Sequence, residues 1–165
     1  MGKRKGIRMK QVFELGLPDL LYFVKESCHV NLHDSLPILK TLSDEVSRSH
    51  SHHCDFPEEL PKFVKKFIKN LQLHLALEEQ NLFPHLETGH SRNGAATIIH
   101  LEDDHNRMKS DLLKLRQMTD NYRPPEFFDV KGLRFYSLLK EMDRIILNHI
   151  QIEDHILFPM VKRIS

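Results

Sequence analysis

HLALEEQNLFPHL (His74–Leu86) and HIQIEDHILFPMV (His149–Val161) are the stretches that decide how this chain folds. They lie 75 residues apart and share one pattern, His-x-x-x-Glu followed by Leu-Phe-Pro. His74/Glu78 and His149/Glu153 therefore occupy equivalent places in two similar segments. An α-helix turns once in about 3.6 residues, so positions i and i+4 share a face and present two side chains to one point. Two such helices set against each other supply two imidazoles and two carboxylates, the donor set of a metal site.

Working outward from the repeat, the apolar residues recur in steps of three and four, which aims each motif at a bundle core. Val64, Phe67, Leu71, His74, Glu78 and Leu82 form one stripe, and Phe135, Leu139, Met142, Ile146, His149, Glu153 and Leu157 form another. His29, Leu32, Leu36 and Leu39 make a third; Ile98, Leu101, His105, Met108, Leu112 and Leu115 make a fourth. The pattern predicts helices from about Pro18 or Asp19 to Val46 with a kink at Pro37, from Pro57 or Glu58 to Leu86, from Ala95 to Met118, and from Phe128 to Arg163. Short connections between them predict an all-α, up-down-up-down four-helix bundle over residues 17–165. Residues 1–16 read as a basic, flexible segment.

Every predicted helix places a histidine on its core stripe, and two add a glutamate one turn later. A lone core histidine is more often a hydrogen-bonded core residue than a ligand, and a single i,i+4 pair is common on helix surfaces. Repetition on apolar stripes changes that balance. One buried carboxylate costs several kcal/mol unpaired, and a second beside it costs more, so a cation between Glu78 and Glu153 is the natural compensation. Four imidazoles and two bridging carboxylates suit two ions. Imidazole with carboxylate favours Fe, Mn or Zn over Ca or Mg, and carboxylate bridges in a helical bundle put iron first. His33 is a further candidate on the first helix. His50, His52, His53 and Cys54 form a local cluster with the residue types to capture a metal, which reads first as a solvated loop, and His85, His90, His100 and His155 read as surface residues. The Leu-Phe after each glutamate is expected to close the core, and the proline after it to bend or end the helix.

The composition is that of an ordinary soluble chain, with 40% hydrophobic and 28% charged residues and a net charge of +1. Lys3, Arg4, Lys5, Arg8 and Lys10 crowd the first ten positions, so the body is slightly acidic and does not read as a nucleic-acid binder. No apolar run approaches the ~20 residues of a membrane span. The N-terminus has no clean apolar signal region, and Gly6 stands where a myristoylation signal wants Ser or Thr. A cytoplasmic protein with free thiols at Cys28 and Cys54 is expected. Cys28 is next to His29, but neighbours on a helix point about 100° apart, so a structural thiol is the expectation.

The chain resembles hemerythrin-like (HHE cation-binding) domains, and more closely the repair-of-iron-centres di-iron proteins of bacteria. The resemblance is carried by CHVNLHDSLPIL, HLALEEQNLFP, LEDDHNRM, TDNYRPPEFF and HIQIEDHILFP, from about residue 20 to 163. It implies di-iron ligands at His29, His74, Glu78, His105, His149 and Glu153, with the glutamates bridging two irons that also share an oxo bridge. It implies protection against nitric oxide and oxidative damage and repair of iron-sulfur clusters, by iron donation or reaction with NO. The partners it implies are NO or oxygen and iron-sulfur recipient proteins, with a homodimer left open. His50 matches a histidine that recurs in the family and would gate or line access to the site. Two departures stand out: the cysteine-bearing N-terminal module of longer members is not among the residues ahead of His29, and Asn106 replaces the acid that often follows the third-helix histidine. Asp103 and Asp104 are expected to support His105 instead. Turnover of NO or peroxide is a variant of this reading. The alternative is an oxygen-binding or sensing hemerythrin, but Lys109 and Leu101 stand where a fifth imidazole would be needed.

Overall fold

Helices form where the three-four spacing of apolar residues predicts them. The computed structural model describes residues 12, 14–53, 55–88 and 94–164, and among these every regular element is helical. The first rod consists of α1 (Leu17–Val24), a wide π-helical turn at Lys25–His29, and α2 (Val30–His50). The second consists of α3 (Leu60–Leu77), a π turn at Glu78–Leu82, and α4 (Phe83–Glu87). α5 (Gly94–Met118) is the third, and α6 (Val130–Ile152), a π turn at Glu153–Leu157 and α7 (Phe158–Ile164) are the fourth. Pro18 and Asp19 open α1, and Pro61 opens α3, at positions where the backbone has no N–H bond to lose. Asp129 caps α6 by accepting the N–H of Gly132 at 2.9 Å. α2 packs on α3 and α6, α3 on α5, and α5 on α6 and α7, which closes the up-down-up-down bundle. No helix among the described residues is long and apolar enough to cross a membrane.

Pro37, Pro84 and Pro159 all sit inside continuous helical rods. α2 runs through Pro37 without interruption, and a wide π turn lies upstream, at Lys25–His29. Pro84 and Pro159 neither end nor break their rods, because each is the second residue of a helix that resumes after a π turn. In those turns the Phe83 N–H reaches Glu78 O and the Phe158 N–H reaches Glu153 O, a step of five residues instead of four. The ladder has thus slipped by one residue just before the proline, whose missing N–H and bulky ring an unbroken α-helix would not tolerate.

All four predicted stripes are buried. They form two apolar clusters, one around Leu36, Phe67, Leu71, Leu112, Phe135 and Leu139, the other around Leu20, Val24, Phe83, Leu101, Leu157 and Phe158. Each fully buried side chain of this size stabilises the fold by about 1.5–3 kcal/mol. Val12, within the segment expected to be flexible, is itself buried in the second cluster with Leu15 and Leu17 against it. The basic positions 3–10 lie outside the described residues.

Between α5 and α6 the chain turns through three consecutive left-handed residues, Asp120, Asn121 and Tyr122, at φ of 46°, 55° and 64°. Asp and Asn accept this conformation readily; a tyrosine does so at a cost. Contacts made by Tyr122 offset it: its hydroxyl donates to Asp143 at 2.7 Å, its N–H donates to Thr119 Oγ1 at 3.1 Å, and Arg116 grips the same Asp143 with two bonds of 2.7 Å. Asp143→Ala should therefore lower the unfolding free energy by about 2–3 kcal/mol, since the phenol and guanidinium lose their acceptor. Lys65→Ala removes only an exposed pair with Asp44 and should change it by less than about 0.5 kcal/mol. Urea unfolding followed by circular dichroism measures both.

Candidate metal centre

Polar residues interrupt the apolar stripes between the two clusters, one each on the first and third rods and two each on the second and fourth, and they share a layer. His29 ends the first π turn, while Glu78 and Glu153 begin the second and third. His74 and His149 lie one turn before the glutamates, and His105 comes from α5. All six side chains are buried. Around Glu78, Oε2 is 3.2 Å from His29 Nε2 and 3.5 Å from His149 Nε2, and Oε1 is 3.3 Å from His74 Nε2. Around Glu153, Oε2 is 3.2 Å from both His105 Nε2 and His149 Nε2. Ligand atoms of His74, Glu78, His105, His149 and Glu153 all lie within 4.8 Å of one another, and His29 joins the group through Glu78.

A second ring of carboxylates faces the outer nitrogens. Glu79 accepts from His29 Nδ1 at 2.8 Å, and Asp154 accepts from His105 Nδ1 at 2.6 Å. Asp104 stands 3.7 Å from His74 Nδ1. The support expected for His105 from Asp103 and Asp104 is thus differently placed: Asp154 provides it, Asp104 turns toward His74, and Asp103 is exposed. Glu79 and Asp154 each follow a buried glutamate in sequence, so adjacent acids divide between the inside and the outside of the layer. Sequence spacing carries no signal for this, because the partner histidine belongs to another rod.

The charges in this layer are strongly coupled. Burial lowers the pKa of His74, but the Glu78 charge and then Asp104 outweigh it and hold the imidazole at about 10. Burial raises Glu78, but His74 and His149 pull it well below the ordinary carboxylate range. Glu153 goes the other way, raised by burial and then by the Glu78 charge. Two carboxylates in one dry layer do not both ionise unless positive charge accompanies them. The atoms fit a metal: among the described residues, every buried side-chain N or O without a hydrogen-bond partner belongs to this layer except Ser43 Oγ, and all four glutamate oxygens are included. Imidazole nitrogens and carboxylate oxygens are donors for Fe, Zn or Mn.

The remaining histidines and thiols sort by position. His33 is exposed and points to Glu79 at 2.8 Å, away from the buried layer. His50, expected to gate or line the site, is separated from His29 by the 21 residues of α2, about 30 Å of helix. It packs against Phe127, Phe128 and His53 instead. His52, His100 and His155 are exposed and His85 is half-buried; Cys54 and His90 lie outside the described residues. Cys28 is buried, and burial followed by the Glu153 and Glu78 charges pushes its thiol up to about 12, which keeps it protonated at neutral pH.

The sequence profile of the Hemerythrin HHE cation binding domain matches residues 24–161. The chain belongs to this family. Among its relatives is the Iron-sulfur cluster repair protein YtfE of Yersinia pseudotuberculosis serotype IB (strain PB1/+), 27% identical over 147 residues, which cover 89% of this chain and 66% of the relative. The protein of the same name from Pectobacterium carotovorum subsp. carotovorum (strain PC1) is 28% identical over 150 residues, covering 91% of this chain and 68% of the relative. The HHE chain described here thus spans about two thirds of the length of these relatives.

The coupled layer predicts how metal-free protein responds to pH. With a folded value of about 10 against an ordinary 6.5, His74 binds its proton more tightly in the folded state. Its contribution to stability is complete below about 6.5 and is lost as the pH rises toward 10. A raised Glu153 acts in the same sense, stabilising in acid and losing that contribution as the pH rises, whereas the lowered Glu78 contributes fully above the ordinary carboxylate range and loses its contribution only as the pH falls below it, so it does not change between pH 6.5 and 9. Chelator-treated protein should melt at a lower temperature near pH 9 than near pH 6.5, and metal-loaded protein should show a flatter dependence, because metal binding has already displaced the protons. Scanning calorimetry at both pH values tests this.

Proposed function

We propose that this chain is a carboxylate-bridged di-iron protein of the repair-of-iron-centres type, a cytoplasmic protein that protects against nitrosative and oxidative stress and serves iron-sulfur cluster repair. The observation that supports it most is the pair of fully buried glutamates whose four oxygens have no hydrogen-bond donor, ringed by four imidazoles. In this reading His29, His74, His105 and His149 supply nitrogens, and Glu78 and Glu153 bridge two ions. Zn or Mn fit the same donors; iron is preferred because bridging carboxylates in helical bundles serve di-iron sites. When bound, the two ions would supply one-electron redox chemistry and open positions for NO or oxygen.

The protein's own side chains prepare the site. Glu79 and Asp154 hold a proton on Nδ1 of His29 and His105, which leaves the Nε2 lone pairs facing inward. A groove of about 550 Å³ between α3 and α5 is lined by Asn70, Leu73, His74, Asp104 and Arg107 among others, and in this reading a diatomic ligand would approach from it. Cluster repair is the role that the Yersinia and Pectobacterium relatives, about two thirds of whose length this chain spans, are named for. Iron is then cargo as well as cofactor. Oxygen carriage is the weaker reading, because the residue one turn after His105 is Lys109, whose ammonium sits on Asp154 at 2.8 Å and cannot ligate.

Protein from iron-grown cells should carry close to two irons per chain with iron charge-transfer absorption, and should restore an iron-sulfur enzyme damaged by NO. One zinc, or no metal after anaerobic iron reconstitution, would overturn the reading. Glu78→Ala or Glu153→Ala should remove at least one metal while the helical circular dichroism persists; unchanged metal content would sink the bridging assignment. His52→Ala should leave the stoichiometry intact.

A further inference from the structure

The metal layer is built twice, and its two sides are closed differently. On one side, consecutive acids flank the His29 ring, with Glu78 at 3.2 Å from Nε2 and Glu79 at 2.8 Å from Nδ1. On the other, Glu153 and Asp154 flank His105 in the same way, at 3.2 and 2.6 Å. The residue four positions after each histidine then meets the outer acid. There Lys109 Nζ is 2.8 Å from Asp154, whereas His33 Nε2 is 2.8 Å from Glu79. An ammonium has three donors and no lone pair, so it seals its side against cations; a neutral imidazole has a lone pair to give.

Exposure also falls stepwise along the His33 side: 49% for the His33 side chain, 36% for Glu79, 3% for His29 and 0% for Glu78. Ligand atoms of His29, His33 and Glu79 lie within 4.8 Å of one another. One imidazole, His29, touches both the inner carboxylate and the outer.

We propose that His33 and Glu79 form a solvent-facing port, a second and weaker metal site that holds a divalent ion on its way into or out of the buried centre past His29. The inference rests on the buried centre being a metal site, as proposed above. An ion arriving from water takes the Nε2 lone pair of His33 and an oxygen of Glu79, and water fills the rest of its shell. The His33 ring changes tautomer through solvent and keeps its one proton on Nδ1, so its charge is unaltered. Two protein ligands hold an ion loosely, which suits transit. Glu78, the next residue in sequence to Glu79, offers the next carboxylate inward.

Two experiments on the whole chain test the port. His33→Lys copies onto this side the seal that Lys109 forms on the other. Chelator extraction of iron from loaded protein, and anaerobic reloading with Fe(II), should both slow on the order of tenfold, the scale on which outer partners of metal sites act, with the final iron content unchanged. Wild-type rates in this variant would overturn the port. His33→Cys puts a thiolate at the same place. Added Co(II) should then give a thiolate-to-cobalt charge-transfer band that the wild type lacks and that Glu79→Gln removes; no such band would overturn the site. The band reports on the surface pair whether or not the buried six residues hold iron, so failure of the centre and failure of the port are told apart.

Discussion

Two carboxylates with no donor for any of their four oxygens, Glu78 and Glu153, lie at full burial in one layer of the bundle. Like charges in a dry interior cost several kcal/mol unless positive charge meets them there. The rest of the layer answers that cost. Each rod gives an imidazole, the second and fourth rods each add a carboxylate, and the four rods must stay in register for the six groups to meet. The apolar clusters above and below hold that register, since a shift by one helical turn in any rod would press a histidine into hydrocarbon.

Outward from the glutamates the charges alternate. Imidazoles surround the inner carboxylates, Glu79, Asp104 and Asp154 surround the imidazoles, and His33, Arg107 and Lys109 meet those acids at the surface. This order lets a group as costly as a buried carboxylate persist, and it lets a surface side chain act on a nitrogen that water does not reach.

The bundle and the six central residues were legible in the sequence because both depend on one periodicity. His74 and Glu78 fall on the stripe of Phe67 and Leu71, and His149 and Glu153 on that of Met142 and Ile146, so a local rule was enough. What escaped the sequence depends on contacts across rods or on small backbone slips. Asp154 could not be assigned to His105, nor Asp104 to His74, until the third rod was set beside its neighbours. The π turns at Glu78 and Glu153 leave no mark except the proline that follows them, which reads equally well as a helix end. The role that the family resemblance implies for His50 fails for a related reason: a matching residue says nothing about distance, and α2 carries His50 away from His29 to lie among Phe127 and Phe128.

The donor set divides evenly along the chain. The first helical hairpin holds His29, His74 and Glu78, the second His105, His149 and Glu153, so the centre has the form of an isologous interface between two similar hairpins. A symmetric pair of separate hairpins would place the same residue at both outer positions, because each surface of such an interface repeats the other. Joining the hairpins in one chain keeps them at high effective concentration and removes that requirement. His33 on one side and Lys109 on the other are what this freedom permits: the same residue types at corresponding buried positions, and different side chains where each side meets the solvent.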